Sequence, residues 1–81
     1  LGMNNITVYP NPASNMLTIA GLSTDNNMSM IITDLAGKEV LYPKFNSNSQ
    51  QQINISSLAK GIYFLQINTA KANKTIKFIK E

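Results

Sequence analysis

Hydrophobic and polar residues alternate along this chain in short bursts, each cut off by turn-forming residues. The longest is Gly61-Ile62-Tyr63-Phe64-Leu65-Gln66-Ile67, entered through a glycine and left through Asn68-Thr69. Successive side chains of a strand point to opposite faces. Tyr63, Leu65 and Ile67 therefore share one face, and Ile62, Phe64 and Gln66 the other. Both faces carry apolar residues, which predicts an interior strand covered on one side and partly covered on the other. At a sheet edge, a run this apolar would invite pairing with other chains.

The other bursts are shorter. Ile6–Tyr9 predicts a first strand, stopped at once by Pro10-Asn11-Pro12. The two prolines fix two φ angles and remove two N–H donors, which predicts an extended corner. Met16–Ala20 predicts a second strand with Leu17 and Ile19 inward, followed by a loop over Gly21–Asn27. Met28–Asp34 predicts a third, with Met28, Met30 and Ile32 on one face. Leu35-Ala36-Gly37 then predicts a hairpin into Lys38–Tyr42, with Gly37 supplying a positive φ and Asp34 accepting from the loop amides. The polar connection Pro43–Gln52 is too long for a tight hairpin and predicts a crossing between sheets. Gln51–Ile55 is the fifth strand, with Ile53 and Ile55 inward. Ser56–Gly61 predicts a single turn capped by Ser56 or Ser57, with Leu58 plugging the core. Lys74–Lys80 is the last strand, placing Ile76 and Phe78 on one face and Lys77 and Ile79 on the other. Short strands, turn residues roughly every ten positions and no helical period predict an all-β fold. The expected architecture is a seven-stranded antiparallel β-sandwich with immunoglobulin-like proportions.

Length sharpens this picture. A chain of 81 residues buries little more than ~60% of the surface its unfolded form exposes, so its core is thin. There are no cysteines, so stability rests on a packed apolar layer and closed backbone ladders. Charge changes the picture less. The net charge is +3, all of the basic residues are lysines, and Lys71, Lys74, Lys77 and Lys80 cluster at the end. Lysine without arginine, and without aromatics interleaved for stacking, makes a poor reader of bases, so nucleic acid is not expected as a partner. No apolar run approaches the ~18 residues that span a bilayer, so membrane insertion is not expected either. Leu1-Gly2-Met3-Asn4-Asn5 has neither a basic nor an apolar signal-peptide region and reads as a cut made inside a longer protein.

Candidate chemistry is sparse. The chain has no His, Cys or Trp, which excludes imidazole and thiolate metal sites and His-based triads. Asp34 and Glu39 flank one hairpin, and a carboxylate pair is the minimum for glycoside hydrolysis. A thin sandwich offers such a pair no cleft, and turn capping is the commoner use of an Asp like Asp34. Calcium at Asp25-Asn26-Asn27 would meet a single carboxylate, which is weak ligation. Ser57 with Lys60 suggests a nucleophile and base only on paper, because lysine must be buried to act as a base. No catalytic, metal-binding or cofactor-binding residue is expected, and no cofactor. The four Asn-x-Ser/Thr matches, at Asn5, Asn27, Asn54 and Asn73, are non-specific in so Asn-rich a chain.

Four blocks occur in a fixed order. Val8-Tyr9-Pro10-Asn11-Pro12 with Leu17-Thr18-Ile19 comes first, then Ile32-Thr33-Asp34-Leu35-Ala36-Gly37-Lys38-Glu39-Val40. Ile53-Asn54-Ile55-Ser56-Ser57-Leu58 follows, leading into Gly61-Ile62-Tyr63, and Lys77-Phe78-Ile79-Lys80 closes the chain. Each block alone is weak; together and in order they are specific. From about Asn5 to Glu81 the chain resembles the type A C-terminal sorting domain of the type IX secretion system, an export signal of Bacteroidetes proteins. Two features depart from the pattern: Thr33 stands where an aromatic is frequent, and Pro43–Gln52 is unusually polar.

The resemblance implies a non-enzymatic export signal. Residues 1–5 would be residual linker from an upstream cargo, and residues 6–81 the sorting domain. The implied partners are the fused cargo, the type IX translocon with its shuttle components, and a cell-surface sortase cutting upstream of the first strand. The implied localisation is the periplasm in transit, then the cell surface or the medium. In the family the last strand and its basic end carry much of the signal, which here points to Lys74, Lys77, Phe78, Ile79 and Lys80, with Ile76. The same lysines would also keep an edge strand soluble, and both roles stay open at this stage. Tyr9, Pro10, Asn11, Pro12, Asp34, Gly37, Gly61 and Tyr63 fall in the family motifs and are assigned to folding, Tyr63 as a core residue whose hydroxyl finds a partner at the sheet rim. A small adhesive or carbohydrate-binding sandwich is the alternative, with Tyr9 and Tyr42 as its available aromatics. A pure spacer is a third reading.

Overall fold

Branched and aromatic residues with polar neighbours favour half-buried strands, and the described residues form seven. A computed structural model describes residues 6–21, 28–44, 50–68 and 73–81. The strands are β1 (Thr7–Tyr9), β2 (Met16–Ala20), β3 (Ser29–Asp34), β4 (Glu39–Leu41), β5 (Gln50–Asn54), β6 (Gly61–Asn68) and β7 (Asn73–Lys80). They form two sheets, in the orders β1-β2-β5 and β4-β3-β6-β7. Every strand pairing within them is antiparallel. Strand ends differ from the expected ones by a residue or so, while the faces are as expected. β4 and β5 belong to different sheets, so the connection between them makes the crossing that its length predicted.

The core lies between the sheets. Leu17, Ile19 and Ile53 come from the smaller sheet, and Met30, Ile32, Tyr63, Leu65, Ile67 and Phe78 from the larger. Leu17 and Ile53 are direct cross-strand partners, as are Ile32 with Leu65 and Tyr63 with Phe78. Each fully buried Leu, Ile or Phe contributes about 1.5–3 kcal/mol relative to exposure. β6 is interior, flanked by β3 and β7. Its outer face, Ile62, Phe64 and Gln66, is half-buried.

One local expectation needs correction. The turn after β5 was expected to be capped by Ser56 or Ser57. Instead Asn54 Oδ1 accepts from the Ser56 amide at 2.9 Å and the Ser56 hydroxyl at 2.6 Å. Asn54 holds the turn because its short side chain reaches the backbone two residues on. The Leu58 amide then donates to the Ile55 carbonyl at 3.0 Å, and Leu58 packs against the core. Gln51 shares the inward face of β5 with Ile53 and is buried. A buried amide needs partners, and Gln51 Nε2 donates to the Lys44 carbonyl at the start of the crossing.

Candidate functional site

The β3–β4 hairpin, the entry to β6 and the finish of β7 lie at one end of the larger sheet, where Asp34 is paired with Tyr63, and Gly61 with Lys80. The hairpin is closed by Asp34, whose Oδ1 accepts from the Ala36 amide at 3.0 Å and the Lys38 amide at 2.9 Å. The Gly37 amide donates to the Asp34 carbonyl at 3.0 Å, and Gly37 holds φ at +90°. That backbone is costly for any residue with a Cβ. Asp34→Ala is expected to cost about 1 kcal/mol, the usual value of a capping side chain, measured as a lower midpoint in urea. An unchanged midpoint would show that the backbone bonds alone hold the turn.

The two carboxylates considered above have separate partners. Asp34 is committed to its loop, and Glu39 Oε1 accepts from the Tyr42 hydroxyl at 2.8 Å. That bond holds the Tyr42 phenol above its ordinary pKa of 10.0, aided by desolvation and by the Glu39 charge. A shallow groove of about 360 Å³ runs between Asp34 and Leu35 on one side and Lys60 and Ile62 on the other. Among the described residues, no group of three or more acidic side chains is placed to hold a metal. Asp25, with the calcium reading built on it, lies outside the described residues. Tyr9 and Tyr42 are exposed, but Tyr9 is on β1 of the smaller sheet and Tyr42 follows β4 of the larger.

Tyr63 is buried in β6, and its hydroxyl donates to the Ala59 carbonyl at 2.7 Å. Its ring stacks on Phe78, with centroids 5.8 Å apart and planes at 24°. Gly61 opens β6 with φ at +155°.

The first and last blocks are in contact. Pro10, Asn11 and Pro12 are exposed, both X–Pro bonds here are cis, and the corner carries the chain from β1 to the edge of β7. Asn11 Oδ1 accepts from the Ile79 amide at 3.0 Å, and Asn11 Nδ2 lies 3.5 Å from the Lys77 carbonyl. The Ala13 amide donates to the Ile79 carbonyl at 2.8 Å, and the Glu81 amide to the Ala13 carbonyl at 2.8 Å. Ala13 thus bridges in parallel to Lys80. The sequence motif gave no indication of this partner, because the bonds span up to 68 positions.

β7 is the edge of its sheet, and the strand divides the residues named for recognition. Phe78 is 0% exposed and Lys80 9%, so both face the interior. Lys80 Nζ donates to the Glu81 carbonyl at 3.0 Å. Lys74 and Ile76 are half-buried on that face, while Lys77 and Ile79 point outward. Lys77 and Ile79 stand opposite Phe64 and Ile62 of β6. A partner touching the folded domain here meets Lys77, Ile79 and part of Lys74, and it cannot reach the Phe78 ring.

Known proteins match this chain in sequence and in fold. A family profile described as secretion system C-terminal sorting domain matches residues 7–81. An endo-acting ulvan lyase of Formosa agariphila is 32% identical over 71 residues, which cover 88% of this chain and 14% of that enzyme. The chain therefore spans a small part of that curated relative, and most of the enzyme lies outside the similarity. Among solved structures, PorZ, a surface component of the type IX secretion system of Porphyromonas gingivalis, superposes with a TM-score of 0.75. The match is 24% identical and covers 99% of this chain and 12% of PorZ, which shows a shared fold. A DUF3244 family protein from Bacteroides vulgatus, an immunoglobulin-like β-sandwich, also superposes with a TM-score of 0.75. It is 29% identical, with 94% of this chain and 83% of that one covered. With its seven strands, its two sheets and its match over residues 7–81, this chain belongs to the family of type IX secretion system C-terminal sorting domains.

Proposed function

We propose that this domain is the non-catalytic export signal of a cargo protein fused to its N-terminal side, and that it directs the cargo across the outer membrane by the type IX secretion system. The carrying observation is the family match over residues 7–81, which takes in all seven strands. Residues 1–5 serve as the linker and residues 6–81 as the signal. The domain passes through the periplasm, meets the shuttle and translocon through β7, and delivers its cargo to the cell surface or the medium. A surface sortase cuts upstream of β1. The fold suits this role physically: a rigid sandwich with an exposed strand edge offers a surface to read and requires no cleft.

The test fuses the full 81-residue chain to the C-terminus of a fluorescent protein that carries its own periplasmic signal peptide. A strain with a type IX system is compared with the same strain lacking the translocon. Fluorescence at the surface or in the medium is expected at least ten-fold higher in the first strain. Sortase cleavage would appear as a loss of close to 8.9 kDa from the exported product. Periplasmic retention in both strains, with the fusion intact and folded, would sink the proposal. Export of the uncut fusion would remove the sortase step alone.

A further inference from the structure

The register of β6 and β7 determines which backbone groups of the edge strand point away from the sheet. Pairs in an antiparallel ladder alternate between those that exchange hydrogen bonds and those that do not. Ile79 gives its N–H to Asn11 and its carbonyl to Ala13, both on the side away from β6. The ladder runs without a register shift from Gly61↔Lys80 to Asn68↔Asn73. Lys77, Thr75 and Asn73 therefore direct their backbone groups to that same free side.

The corner at Asn11–Ala13 covers only the far end of this side. It takes both groups of Ile79, the Glu81 amide and, weakly, the Lys77 carbonyl. Beyond it, no described residue bonds the edge-facing N–H and carbonyl of Thr75 or the N–H of Lys77. Thr75 and Lys77 are also exposed. Among the described residues this leaves a short open edge with a fixed stop. Five residues, Asn73 to Lys77, span about 17 Å of strand, and the side chain of Asn11 ends the row.

Charge selects the occupant. Lys74 and Lys77 lie on this stretch, and neither β6 nor β7 contains an Asp or Glu. A second copy pairing edge to edge would bring these lysines against their own equivalents, and like charges across a ladder are destabilising. The lysines therefore discourage self-association and favour a strand of opposite charge.

We infer that the Asn73–Lys77 edge of β7 accepts an extended acidic segment of a partner protein as an added strand. The partner's backbone would bond Thr75 and Lys77. Its carboxylates would lie on both faces of the new strand, one toward Lys77 outside and one toward Lys74 inside. Main-chain bonds supply affinity and alternate side chains supply specificity in recognition of this kind. The inference rests on the sorting role proposed above and gives it a mode of reading: the machinery recognises the domain by its edge, with Phe78 and Lys80 supporting that edge from within.

The test uses the fluorescent fusion of the full chain in the strain with a type IX system. Thr75→Pro removes the central edge donor and puts a ring in the partner's path. It breaks no bond to β6, because proline is tolerated where the N–H faces solvent. The pair Lys74→Glu with Lys77→Glu reverses the charge and leaves the backbone intact. Each variant is expected to be exported at least ten-fold less than the unaltered fusion while its purified domain still melts cooperatively. Normal export of folded Thr75→Pro would overturn strand addition. Normal export of the charge-reversed pair would overturn the acidic partner, and that pair alone decides the matter if Thr75→Pro fails to fold. Failure of the unaltered fusion to be exported would instead overturn the sorting role, and this inference with it. Amide exchange on the purified fusion gives an independent check. Thr75 and Lys77 are expected to exchange rapidly beside slow Ile76 and Phe78, and equal protection of all four would show the edge already covered.

Discussion

Phe78→Ala is expected to cost about 3–5 kcal/mol, the range for removing a fully buried phenylalanine. Phe78 has no exposed surface and packs its ring on Tyr63 of the neighbouring strand. Small domains lie toward the lower end of the usual 5–15 kcal/mol of stability, and this one has no disulfide to add to it. The variant should therefore be largely unfolded at 37 °C. Urea unfolding followed by tyrosine fluorescence measures the change, since the chain has no Trp. Next to it, Ile79 is 40% exposed on the opposite face, and Ile79→Ala should stay within about 0.5 kcal/mol, as surface changes usually do. A loss below 1 kcal/mol for Phe78→Ala would contradict the stacked core described above. The contrast also guards the export experiments. Loss of export in Phe78→Ala would report unfolding, whereas loss in a variant at Lys77 or Ile79 would report contact.

Asn11→Ala is the second large effect, expected to lower stability by about 1–2 kcal/mol, the value of a hydrogen-bonding cap. For a domain of this size each kcal/mol moves the melting temperature by roughly 4–8 °C. The side chain supplies the acceptor for the Ile79 amide at 3.0 Å. Without it the outer edge of β7 beyond Lys77 is held, among the described residues, by the two backbone bonds of Ala13, to Ile79 and to Glu81. Hydrogen exchange of the Ile79 amide should accelerate more than that of Phe78, whose cross-strand partner is Tyr63 of β6. Asn11→Asp keeps the acceptor and should lose less. An Ile79 amide that exchanges equally fast with and without Asn11 would rule out the clamp. This prediction joins the first of the four sequence blocks to the last: the proline corner at the start of the domain helps to shape the edge that we propose is read at its end.

Much of this was legible in the sequence. Alternation is a local property, so Leu17 with Ile19, Met30 with Ile32, and Tyr63 with Leu65 and Ile67 could be assigned to one face each without knowing what covers them. The closure by Asp34 was legible for the same reason, since its two amide partners lie two and four residues away. The interior position of β6 followed from apolar residues on both of its faces. At Ser56 the sequence misled, because Asn54 and the two serines all suit a cap there and only the folded backbone selects among them.

Determined by the sequence itself were the strands, their inward faces, the hairpin at Gly37 and the motif order that carries the family. All of these depend on neighbours a few positions apart or on the linear order of blocks. The tertiary structure alone decided that β7 ends its sheet, that Asn11 bonds a strand 68 positions away, and that Lys80 Nζ reaches the Glu81 carbonyl. A period of two assigns a side chain to a face. It does not say which strand lies beside it or which backbone groups remain unpaired.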